Sequence, residues 1–156
     1  VSTNGAQMDY AFGPKKNWRR WAWNRDVERL SVPPAEAVVV YLAGADDFDR
    51  EVALQKGFKA HNLIAVERDK KALAALRSRG VLCVHGDFLD TLYSWPAHTN
   101  VHAVIGDLCC GLDIDLAIKI GRLSLSPALR TGLANTWNFM RGRELSGFNK
   151  IFDNDW

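Results

Sequence analysis

Three carboxylates, Glu67, Asp87 and Asp107, are spaced 20 residues apart in a chain of 156. Each stands just after, or a few residues beyond, an apolar run of the kind that forms a buried strand. In an open parallel sheet, ligands bind in the crevice beyond the carboxyl ends of the strands, so three strand-end acids would point into one crevice. Glu67 also follows Gly44 by 23 residues, close to the spacing at which a strand-end acid accepts hydrogen bonds from a ribose diol. Any one of these acids could equally open a helix as its cap. Three in register favour a shared site.

The loop Gly44-Ala45-Asp46-Asp47-Phe48-Asp49 separates the classes of cofactor such a crevice could take. A dinucleotide loop needs several glycines, so that backbone N–H groups can approach a pyrophosphate at a helix N-terminus. Here one glycine is followed by three aspartates. Like charges 4 Å apart repel by about 1 kcal/mol in water and several times more in a partly closed site, which makes a pyrophosphate a poor guest and a nicotinamide-linked dehydrogenase a disfavoured reading. A ligand that carries an adenosine and a positive charge suits the loop better. The same acids also suit the first turn of a helix with no ligand at all.

With these residues in place, the order of motifs resembles that of the class I S-adenosylmethionine-dependent methyltransferases. The stretch Val38-Val39-Val40-Tyr41-Leu42-Ala43-Gly44 looks like their first strand and cofactor loop, and Leu63-Ile64-Ala65-Val66-Glu67-Arg68-Asp69 looks like their second strand with its ribose-binding acid. Val84-His85-Gly86-Asp87-Phe88 is similar to the segment whose acid meets the adenine amino group. Ala103-Val104-Ile105-Gly106-Asp107-Leu108 is similar to the fourth strand that faces the substrate. The resemblance covers about residues 36–112. It implies a Rossmann-like methyltransferase that binds S-adenosylmethionine through Gly44, Asp49, Glu67, Asp87 and Phe88, with Asp107 on the substrate side as the catalytic candidate. The departures are a single glycine in the loop and no proline-containing acceptor motif after the fourth strand, so Asp107-Leu108-Cys109-Cys110-Gly111 names no target atom. They motivate the alternative of a non-catalytic binding or assembly module that retains the cofactor pocket.

The elements that must hold these residues follow from the apolar pattern. From Ala35 onward, β-branched runs alternate with helical segments, as in βαβ units of a parallel sheet. The runs at 38–42, 63–66, 81–84 and 101–105 read as strands. Residues 69–80 read as a helix with Asp69 at its start and Gly80 at its end, 49–56 as a second closed by Gly57, and a third follows Asp113. Residues 133–140 read either as one face of a helix opened at Ser126-Pro127 or as a fifth strand after Gly132. The resemblance tips this toward a strand, entered by the turn Arg130-Thr131-Gly132-Leu133. The expected fold is thus a three-layer α/β Rossmann-like domain with a mostly parallel sheet of four to five strands. Sixteen residues follow Met140, too few for the two further strands usual in the family, so the chain reads as either a minimal or an incomplete version of the fold.

Ahead of the sheet lies a basic, aromatic arm, and Pro33-Pro34 marks the boundary between an arm at 1–34 and a domain at 35–156. Lys15 to Arg25 holds five cations and three tryptophans in eleven residues. Cations neutralise phosphates and aromatic faces stack on unpaired bases, so DNA or RNA is a candidate partner for this arm. The competing reading is a helix that docks its tryptophans on the sheet and leaves its cations in water. The Arg141-Gly142-Arg143-Glu144 turn reads as a solvated loop.

Composition bounds all of this. At 47% hydrophobic and 24% charged, the chain has the balance of one globular domain, not of a disordered, collagen-like or disulfide-stapled one. Twenty Lys and Arg against eighteen Asp and Glu leave a formal charge of +2, too little to make the whole chain a nucleic-acid binder. The cations concentrate at the start, with six basic and three acidic residues in 1–30, against eight and ten in 31–112. Cys83, Cys109 and Cys110 cannot all pair, and the adjacent two read as buried small hydrophobes, which favours a reducing compartment. No apolar run approaches the roughly 20 residues of a membrane span, no signal peptide is visible, and no Cys/His spacing suggests a metal, so a cytoplasmic protein is expected. The sequence carries no signal for an oligomeric state.

Overall fold

The computed structural model describes residues 14–108, 112–129 and 134–138, with the side chains of 14–16 set aside. Cys109, Cys110, the 130–133 turn, the 141–144 loop and the chain after Met140 lie outside the described residues.

The sheet forms where the β-branched runs occur. Its strands are β1 (Val39–Leu42), β2 (Leu63–Glu67), β3 (Cys83–His85), β4 (Ala103–Asp107) and β5 (Ala134–Asn138). They are ordered β3-β2-β1-β4-β5, and every neighbouring pair is parallel. The reading of the fifth run as a strand holds, and β5 pairs with β4 from Ala103 opposite Ala134 to Asp107 opposite Asn138.

β3 and β4 begin two residues later than the apolar runs suggest. Val81 and Val101 are buried at 6% and 3% exposure, yet their amides bond outside the ladder, Val81 N–H to the Leu76 carbonyl and Val101 N–H to that of Ala128. They fill the core from the connections that lead into the strands. The shift carries β4 on to Asp107 and makes that acid the last residue of its strand.

Helices cover both faces, as parallel strands require. α1 (Pro14–Arg29), α2 (Phe48–Gln55) and α3 (Lys70–Ser78) lie on one side, where Trp23, Ala53, Leu73 and Leu76 pack on Val39, Tyr41, Ala65 and Ile105. α4 (Phe88–Tyr93) and α5 (Ile114–Arg122) lie on the other, with Phe88, Leu89, Leu92, Leu116 and Ile120 against Val40, Val66 and Val104. Side chains alternate strictly between these two cores along each strand, the period-two rule of the pleat. Asp69, Asp87 and Asp113 cap α3, α4 and α5 through their own carboxylates, and Gly57 and Gly80 take the positive φ values, 92° and 71°, that follow α2 and α3.

The arm settles on the sheet as its docked-helix reading expects, at least for two tryptophans. Trp23 is fully buried, with its ring edge-on to Tyr41 and Phe58 at 6.1 and 5.3 Å, and Trp18 is partly buried against the same core. Trp21 faces out, 53% exposed. Asp26 is buried as well and accepts a 2.6 Å hydrogen bond from the Thr136 hydroxyl on β5, which ties α1 across that edge of the sheet. Among the described residues no helix is long and apolar enough to cross a membrane.

Candidate functional site

β1 connects to β2 on one face through α2, while β3 returns to β4 on the other face through α4, so the topology reverses between the neighbours β1 and β4. A crevice opens beyond the carboxyl ends of the strands at such a switch point. Register then places the sequence candidates. Leu42 is opposite Val66 and Tyr41 opposite Ile105, so Glu67 and Asp107 both stand level with Ala43; Glu67 is in turn opposite His85, and Asp107 opposite Asn138. One transverse row, His85, Glu67, Ala43, Asp107 and Asn138, therefore closes the carboxyl end of the sheet. Two of the three acids spaced 20 residues apart, Glu67 and Asp107, lie in that row, while Asp87 stands two residues past it, just before α4.

Each candidate has a definite setting. Glu67 is half-buried; one carboxylate oxygen accepts from the Asp69 amide at 2.7 Å, and the other bonds no described residue. Asp87 is exposed and accepts from the Leu89 and Asp90 amides at 3.1 and 3.3 Å, so its helix-capping role is realised. Asp107 is half-buried and accepts a 2.7 Å hydrogen bond from the Asn138 carboxamide. Gly44 has an ordinary φ, and a Cβ built on it would meet nothing within 4 Å. Among the described residues no contact explains its lack of a side chain. It borders open space where a ligand would approach the backbone.

Asp49 and Phe88 point elsewhere. Asp49 is buried under α1, where one oxygen accepts from Trp23 Nε1 at 3.0 Å and the other pairs with Arg19 Nε at 3.2 Å. Burial pushes its carboxyl above the usual range, against the hydrogen bond from Trp23 and the charge of Arg19. Phe88 is 4% exposed, its ring 5.9 Å from that of Trp137 and edge-on to it. Gly106 on β4 is what admits this pair, because a Cβ there would lie 2.5 Å from the Trp137 ring and 3.1 Å from Phe88.

Other residues also shape the site, and of these only Asp47 is marked in the sequence, by the aspartate-rich loop. Asp47, the residue before α2, adopts a left-handed φ of 54° and accepts a 2.8 Å hydrogen bond from the Tyr41 hydroxyl beneath it. Burial pushes the Asp47 carboxyl up to about 6, and burial with the nearby Asp47 charge pushes the Tyr41 phenol up as well. Arg79, after α3, donates to the carbonyls of Ala45 and Asp46 and so holds the loop that follows β1. Asn138 could be found only by pairing β5, since no motif marks it. Among the described residues no cluster of His, Cys, Asp or Glu is arranged to hold a metal ion.

No family model matches the sequence, and no curated protein matches it. Among solved structures the chain is similar to an alcohol dehydrogenase from Thermus sp. ATN1, with 15% identity and a TM-score of 0.47. The likeness covers 86% of this chain and 39% of the dehydrogenase, so the chain spans well under half the length of that protein.

Proposed function

We propose that the crevice binds S-adenosylmethionine and that the chain is a methyltransferase domain. One observation carries the reading: the loop that leads into α2, where a dinucleotide fold receives a pyrophosphate, holds the exposed Asp46 and the Asp47 carboxyl beside it, while the open Gly44 lies beside the Glu67 row. Carboxylates at that position repel phosphate, by about 4 kcal/mol for a pair 4 Å apart at an effective dielectric of 20, and favour a cation. The fit is good for an adenosine with a sulfonium. Glu67 would accept from the ribose hydroxyls with the oxygen that Asp69 leaves open, and Asp87 would face the adenine end. Asp107, steadied by Asn138, would stand beside the methyl acceptor.

The bound cofactor supplies a methyl group on a good leaving group. The protein's task is then to align the acceptor and exclude water, a matter of proximity more than of acid–base chemistry. Asp107 would be the strand-end group that takes the acceptor's proton. If the acceptor is DNA or RNA, it meets the exposed face of α1, where Arg20 and Trp21 project, while Arg19 and Trp23 are committed inside. A non-catalytic module that keeps the pocket is the second reading, favoured by the Asp107 carboxylate being already held by Asn138.

Transfer of a tritiated methyl group to DNA, RNA or protein tests the proposal, with Asp107→Ala as the control. Incorporation that Asp107→Ala abolishes supports the enzyme. Cofactor binding without transfer selects the module.

A further inference from the structure

α5 presents two apolar faces, and among the described residues only one of them is packed. Leu116 and Ile120 pack on the core, with Leu123 buried just beyond them. Roughly half a turn away, Ile114 and Ile118 are 48% and 45% exposed, and Leu125, in the short turn that extends the helix, is 76% exposed. At 100° per residue Ile114, Ile118 and Gly121 fall within an arc of about 60°, so this is a stripe and not scattered exposure. A Cβ built on Gly121 meets nothing within 4 Å, which leaves a notch in the stripe. Tyr93 flanks the helix, its hydroxyl donating to the Lys119 carbonyl and its ring 38% exposed. Single exposed aliphatics are ordinary on a protein surface; an aligned set marks a contact.

The charges beside the stripe choose the occupant. Asp115 lies in the first turn of α5 and Arg122 in the last. At the helical repeat they share one flank of the stripe, about 20° apart. In an antiparallel pair of like helices, the same flank of each meets the same flank of the other. A two-fold axis between positions 118 and 121 then sets Ile118 over Gly121 of the second copy and Ile114 against its Leu125. It also brings Asp115 of each copy to Arg122 of the other. Both salt bridges arise from one sequence, as an isologous interface requires. We infer that the outer face of α5 is a two-fold interface between copies of this chain. The contact is independent of any cofactor reading. A single helix pair sits at the low end of interface sizes, below about 1,200 Å², so the association belongs to the micromolar range.

Sedimentation equilibrium of the full chain, taken up to about 200 µM, tests this, with dimer formation expected across the series. Ile118→Lys weakens the dimer at least tenfold and leaves circular dichroism and melting unchanged, because the side chain is already half in water. Asp115→Arg and Arg122→Asp each weaken it by about tenfold, and the two together return it to within about threefold of the parent. A chain that stays monomeric overturns the inference, and cross-links from α5 to residues 139–156 in that monomer would assign the stripe to the chain's own end. A dimer indifferent to Ile118→Lys, or a charge pair that fails to rescue, overturns it equally.

Discussion

Asp49→Ala separates a structural carboxylate from a ligand-binding one. The side chain accepts from Trp23 and Arg19 at once, across 26 and 30 residues of chain, and the Arg19 and Asp49 side chains are only 8% and 10% exposed. Removing one partner of a buried ion pair costs about 3–5 kcal/mol. Two features pull toward the lower end. Burial already disfavours the charged form of Asp49, and the Arg19 guanidinium keeps its place over the Phe48 ring at 5.2 Å. The expected loss is therefore about 3 kcal/mol, a large share of the 5–15 kcal/mol that holds a typical domain. Asp49→Asn keeps an acceptor for Trp23 and should lose only about 1–2 kcal/mol. Urea denaturation reads both values directly, with an unchanged slope showing that the unfolded state is the same. A loss below about 0.5 kcal/mol for Asp49→Ala would refute the reasoning. If cofactor affinity fell instead, with stability intact, Asp49 would be a ligand contact, as the sequence resemblance implies.

Three further outcomes follow from the same contacts. Burial raises the carboxyl of Asp26 to about 6 and that of Asp47 to about 6, so the folded chain binds protons that the unfolded chain, near 3.8, releases. Their contribution to stability is fully present below the unfolded value and is lost as pH rises through 6; in a series of melts between pH 4 and 7, Asp26→Asn should flatten that decline. Gly106→Ala forces a methyl group into the Trp137 ring and should cost about 1–3 kcal/mol by denaturation, and an unchanged midpoint would mean the Phe88–Trp137 pair is not packed as described. Gly44→Ala meets open space, so it should leave the melting point unmoved while lowering cofactor affinity; the opposite pattern would make Gly44 a folding residue.

The parts of the fold readable in the sequence are those fixed by local pattern. Continuous β-branched runs mark strands buried on both faces, and Asp69 with Gly80 bounds α3 because the cap and the left-handed exit are local backbone demands. Glu67 and Asp107 are legible as acids that end apolar runs, but their common level is set by strand pairing, since β2, β3 and β4 differ in length. What stays hidden is non-local. Val81 and Val101 look like strand residues because burial, not ladder bonding, selects their type. α4 is only six residues long, too short for a period to show between β3 and β4. The commitment of Asp49 to Trp23 and Arg19 depends on where α1 lands on the sheet, and no spacing along the chain encodes that.

The central claim is that the crevice at the ends of β1, β2 and β4 takes an adenosine bearing a cation and rejects a pyrophosphate. Isothermal calorimetry compares S-adenosylmethionine with NAD on the same preparation, and then repeats the first titration on Glu67→Gln. The account predicts saturable binding of S-adenosylmethionine, at least tenfold weaker in Glu67→Gln, and no heat from NAD. Binding of NAD in preference to S-adenosylmethionine, or affinity indifferent to Glu67→Gln, would contradict it.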